Sequence, residues 1–112
     1  MDELITWLRG VLDEDENRYR GALEDWQPPE EWDSGDAVDD MHHWQWVLAD
    51  IAAKRAILDL HNAAVARVSA PLIAGDRPSM VDAEIASALQ RTARLLASAY
   101  ADRPGYRSEW RP

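Results

Sequence analysis

Residues Ala37–Ala70 read AVDDMHHWQWVLADIAAKRAILDLHNAAVARVSA, and the fold turns on this stretch. At about 100° per residue, Met41, Trp44, Leu48, Ile51, Leu58 and Val65 fall on one stripe with heptad-like spacing. Trp46, Ala49, Ala53, Ile57, Leu60 and Ala64 fall on roughly the opposite side. A helix lying on the surface of a core has one apolar face. A helix with two is the middle helix of a bundle, or is shared between a core and a partner chain. The abundant alanine favours helix and permits close approach of neighbours. Ser34-Gly35 precedes the run, Asp36 is a good N-cap, and Asp39 and Asp40 suit the first turn. Arg55 and Asn62 interrupt the first stripe. An unpaired buried charge costs several kcal/mol, so Arg55 needs an acidic partner or water.

Two further helices flank this one. The first runs from about residue 2 to about residue 26, with Leu4, Ile5, Leu8, Val11, Leu12, Tyr19, Ala22, Leu23 and Trp26 on one face. Asp15 projects into the middle of that face, which makes it the expected partner of Arg55. Its neighbours Asp13, Glu14 and Glu16 read as a solvated helix surface. Residues Gln27 to Gly35 form a loop, because Pro28-Pro29 cannot continue a helix. Trp32 in that loop folds back over the bundle or marks a contact surface. Pro71 to Pro78 makes the next connection, with Gly75-Asp76 as its turn. Ser79 caps the last helix, which runs over about 79–100 with Val81, Ile85, Ala88, Leu89, Thr92, Leu95, Leu96 and Ala99 on one face. Residues 101–112 form a tail in which Tyr106 and Trp110 alternate with arginines and dock on the bundle. The expected fold is therefore all-α: a single domain holding a small three-helix bundle with a long central helix and an irregular aromatic and arginine-rich C-terminal tail.

The charge is uneven. The net charge is −9, yet residues 1–40 hold 14 acids and 3 arginines, against 7 acids and 9 bases in residues 41–112. Direct nucleic-acid binding is disfavoured, since it draws on a basic footprint. No cysteine is present, which excludes disulfides and thiolate zinc sites. No apolar run approaches a membrane span and no signal-peptide pattern opens the chain, so the cytosol is the expected compartment.

Several segments together resemble a known family. They are Leu12-Asp-Glu-Asp-Glu16, Ala53-Lys-Arg-Ala-Ile-Leu58 followed by His61, and the ending from Tyr100 to Pro112. The chain is similar to small actinobacterial and actinophage proteins grouped as domain of unknown function sixty-two twenty-one. The resemblance implies that Asp13, Glu14, Asp15, Glu16, Lys54, Arg55 and His61 are polar positions shared with family members. It also implies an actinobacterial or phage origin, and no mechanism. Family members often carry a longer insert after the first helix and cysteines before the last; both are missing here.

The sequence bears on four kinds of chemistry. Asp39, Asp40, His42 and His43 place carboxylates and imidazoles at helical spacings that suit shared ligation of a divalent metal, with Asp13, Glu16 or His61 as a second source of ligands. The acid spacings at 13–16 and 36–39 also resemble those of all-helical, magnesium-dependent nucleotide pyrophosphohydrolases, so a metal-dependent nucleotide or phosphate-ester hydrolase is the enzyme alternative. Nucleophilic catalysis has no support: there is no cysteine, no phosphate loop and no base patterned around Ser69, Ser79, Ser87 or Ser98. The acidic first third would also suit an inhibitor that imitates nucleic acid. The favoured expectation is a small acidic protein-interaction module with no catalytic residues and no cofactor. Trp32, Trp46, Ile57 and Trp110 are its contact residues, and its partner is another protein or a second copy.

Overall fold

A computed structural model describes residues 2–25 and 34–112, with side chains for 3–25 and 42–112. Three helices account for most of it: α1 at Asp2–Asp25, α2 at Ser34–Ile73 and α3 at Met80–Ser98. A short 3₁₀ turn at Ser108–Trp110 closes the tail, and no strand occurs among the described residues. At 1.5 Å per residue the 40 residues of α2 make a rod of about 60 Å, nearly the whole 67 Å long axis of the molecule. The helix is unbroken, and α1 and α3 both pack on it. No described helix is long and apolar enough to cross a membrane.

The ends of α2 differ from expectation. The helix begins at Ser34 and so takes in Asp36, which was expected to cap it. Trp32 lies outside the described residues, as do the side chains of Asp39, Asp40 and Met41. At the other end α2 runs through Pro71 to Ile73. A proline inside a helix forfeits one backbone bond and crowds the turn before it. The loss is tolerable here because the helix stops two residues later. Gly75, at φ +83°, then closes a Schellman cap: Gly75 N–H donates to Leu72 O (3.1 Å) and Asp76 N–H to Pro71 O (2.8 Å). Ser79 Oγ accepts from the N–H groups of Val81 and Asp82 and starts α3.

The core gathers Leu4, Ile5, Leu8 and Leu12 of α1, Ile51 and Leu58 of α2, Ala93 and Ala97 of α3, and Trp110 of the tail. On α3 the buried side is Ala86, Ala93 and Ala97, while Val81, Ile85 and Leu95 face water. The apolar face expected to be buried is therefore turned largely outward. Small side chains let α3 approach α2 closely, and close approach multiplies dispersion contacts. The second flank of α2 is corrected in the same way. Ala64 is buried and Ile57 half-buried, but Trp46, Ala49, Ala53 and Leu60 are exposed. Asn62, expected on the buried stripe, is exposed as well.

Candidate functional site

The polar residues of the core region form one connected patch that ties α1, α2 and the tail together. It starts with the four consecutive acids of α1. On a helix, Asp13 and Glu16 are three apart and share a side, whereas Asp15 points elsewhere. Arg55 of α2 reaches the first pair: one guanidinium nitrogen donates to Glu16 and the other to Asp13. Arg20 adds a second contact to Glu16 at 3.4 Å. Asp15 is buried and receives Arg103 of the tail, whose Nη2 lies 2.8 and 2.9 Å from its two carboxylate oxygens.

The expected Asp15–Arg55 pair is thus not formed. Each member is satisfied, but by a different partner, because the tail runs along the side of α1 to which Asp15 points. Its hydrogen bonds to Asp13 and then to Glu16 hold the Arg55 guanidinium even more firmly protonated than usual. The bond to Asp15 does the same for Arg103.

Lys54 forms the second knot. Its Nζ lies 2.7 Å from Asp50 and donates to the Tyr100 hydroxyl at 2.8 Å, with the Tyr100 ring centroid 5.0 Å away. Burial pulls the ammonium downward, but the bonds to Asp50 and Tyr100 outweigh it and hold its pKa above the usual lysine value. Arg103 lies 5.7 Å from the centroid of the same Tyr100 ring, so one tyrosine receives cations from α2 and from the tail.

The third knot is aromatic. Trp7, Tyr106 and Trp110 meet pairwise with centroids 5.4 to 5.8 Å apart. Trp7 Nε1 donates to Pro104 O at 2.9 Å. Gly105, at φ +91°, lets the chain turn there, and a Cβ on it would stand 2.7 Å from Trp7 Nε1. Arg107 binds Glu3 of α1 and lies 5.5 Å from the Trp110 ring. Trp110 is buried against Trp7 and Tyr106, which removes it from the expected contact residues. Trp7 and Arg103 were not singled out from the sequence. Trp7 sits at the edge of the α1 stripe. Arg103 and Arg107 do carry a signal, being four apart beside a Pro-Gly turn and opposite an acidic helix.

His61 is almost fully buried in the middle of α2, and its Nε2 has no hydrogen-bond partner among the described residues. His42 and His43 are exposed, and no group of three or more metal-binding side chains occurs among the described residues. Asp13 and Glu16, the acids that a metal-dependent hydrolase would require, are occupied by Arg55.

The acid run of α1, the Lys54-Arg55 pair and the Tyr100–Pro112 ending thus bond to one another, through Arg55 to Asp13 and Glu16, Arg103 to Asp15 and Lys54 to Tyr100. The sequence profile of a family of unknown function, DUF6221, matches residues 1–112. The chain belongs to that family. Neither the curated proteins nor the solved structures returned a match. In this DUF6221 member, the segments that carried the family resemblance bond to one another across α1, α2 and the tail.

Proposed function

We propose that the chain is a protein-interaction module whose contact surface is the apolar side of α2 and α3 left uncovered. The observation that carries this is a group of large apolar side chains that face water where α2 ends and α3 begins, namely Leu72, Ile73, Met80, Val81 and Ile85, whereas Trp46 and Leu60 are exposed elsewhere on α2. Surface of this kind marks contact sites. The acids of α1 support the same role by a different route, since Glu3, Asp13, Asp15 and Glu16 pair internally and tie α1 to α2 and the tail.

The experiment is co-purification from cells of the organism that encodes the chain, comparing wild type with the Val81→Glu/Ile85→Glu variant. The expected result is a companion, either another protein or a differently tagged second copy, held by wild type and lost by the variant. A companion held equally by both, or none above background, overturns the proposal.

A further inference from the structure

We infer that the free end of the α2–α3 hairpin receives the same surface of a second copy, forming a two-fold four-helix bundle. This rests on the contact role proposed above and names its partner. The ion pairs Arg9–Asp59 and Arg55–Asp13 fix how α1 lies antiparallel on α2. In that register the start of α1 falls opposite about Ala66. The short turn at Gly75 sends α3 back along α2, and the bond from Lys54 to Tyr100, just past the end of α3, sets its register. The groove between α2 and α3 therefore has two halves. α1 fills one half with Leu4, Ile5 and Leu8. Beyond Ala66 the groove runs on with no α1 in it.

Helical geometry shows that the walls are continuous. On α2, Val65, Leu72 and Ile73 lie within about 60° of the direction of Leu58. On α3, Val81, Ile85 and Leu89 lie within about 60° of Leu96, which packs on the core. More than half of Leu72, Ile73 and Val81 is in water, and 44% of Ile85. These side chains repeat the chemistry that α1 covers nearer the middle.

Three observations select a second copy as the occupant. First, charge: residues 64–90 carry three acids and two arginines, whereas the whole chain carries −9. Two such ends meet without the repulsion that opposes apposition of the acidic ends, which stay far apart. Second, complementarity: an antiparallel two-fold lay brings the Gly75–Arg77 turn of one copy to the start of α1 in the other. Arg77 has no ion-pair partner among the described residues, and α1 opens with the acidic sequence Asp2-Glu3, of which Glu3 is also bound by Arg107 of its own chain. Third, shape: the open apolar residues Leu72, Ile73, Met80, Val81 and Ile85 sit on both arms of one hairpin, so two copies related by a two-fold axis present the same pair of walls to each other. An isologous contact closes on itself and leaves no groove open at either copy.

The test is mass in solution across the micromolar range, by light scattering and sedimentation. The expected result is twice the 12.7 kDa chain mass at high concentration, falling to one chain on dilution. Val81→Glu/Ile85→Glu should raise the dissociation constant about 100-fold or more. Leu60→Glu, exposed on another side of α2, should leave it unchanged. Both sites are exposed, so helicity by circular dichroism should be retained. The chain lacks cysteine, which permits a second readout. Among Ile73→Cys, Val81→Cys and Ile85→Cys, at least one should cross-link to itself on oxidation, and Leu60→Cys should not. A single-chain mass at every concentration overturns the inference. So does a dimer that survives Val81→Glu/Ile85→Glu, or one that Leu60→Glu abolishes. A monomer that loses a different bound protein on Val81→Glu/Ile85→Glu overturns the second copy and leaves the contact role standing.

Discussion

Asp15→Asn tests the tie between α1 and the tail. Asp15 is buried, and both of its carboxylate oxygens face Arg103. Removing one member of a fully buried pair costs about 3–5 kcal/mol. A hydrogen bond to a charged group contributes about 1.5–3 kcal/mol. Arg103 keeps 28% of its side chain in water, so its charge is not stranded and the lower range applies, about 2 kcal/mol. For a chain of this size that lowers Tm by about 10 °C. Asp13→Asn is the comparison: Asp13 is exposed, and its pair with Arg55 contributes under about 1 kcal/mol. Urea denaturation followed by far-UV circular dichroism measures both. A double-mutant cycle locates the interaction. Asp15→Asn with Arg103→Met should show coupling of about 1.5 kcal/mol, and Asp15→Asn with Arg55→Met should be additive within about 0.5 kcal/mol. If Asp15→Asn is no worse than Asp13→Asn, or if Asp15 couples to Arg55, the reasoning fails.

Two further perturbations probe other parts of the scaffold, and one probes its pH response. Gly105→Ala forces a Cβ against Trp7 and strains a positive φ; it should cost about 2–3 kcal/mol and alter tryptophan fluorescence as the tail lifts. His61→Leu removes a buried Nε2 that has no partner among the described residues, together with the long 3.4 Å contact of Nδ1 with Asn62 Oδ1, and should stabilise the fold by about 1 kcal/mol in urea denaturation; destabilisation would refute the reading of Nε2 as unpaired. Lys54 has its pKa raised in the folded chain, so its contribution is fully present below its ordinary 10.5 and is lost as pH climbs through the higher folded value. Denaturation across that alkaline range should show a decline that Lys54→Met reduces.

The first helix was the most legible part of the chain, because its apolar residues keep one period and one face. Asp15 stood out for the same reason, as a lone acid on that face. Its partner is not legible there, because periodicity gives the phase of a helix and says nothing about the path of an irregular tail. The acid spacing held the missing information: Asp13 and Glu16 share a side, and Asp15 lies well around from both. The docking of Tyr106 and Trp110 was readable from two large aromatics in a short tail. Their partner Trp7 was not, since it lies off the main stripe. On α3 the strongest apolar pattern misled, because the helix buries its alanines and leaves Val81, Ile85 and Leu95 outside. Hydrophobic pattern ranks faces by transfer energy, whereas packing also rewards small side chains that let two backbones come close.

That choice of face bears on where a function can reside. Arg55, Arg103, Lys54 and the acids they meet are consumed in fastening α1, α2 and the tail, so the most distinctive polar residues are engaged with one another. The open chemistry is apolar, and it lies in a groove that α1 seals for only part of its length. Turning alanines inward moves the larger α3 side chains to the rim of that groove, where a further helix can meet them. A pocket for small-molecule chemistry needs convergent polar groups, and the rim supplies Val81, Ile85, Leu72 and Ile73 instead. A single pair of charges placed at Val81 and Ile85 should therefore disturb association while sparing the fold, and charges placed at Asp15 or Arg103 should do the reverse.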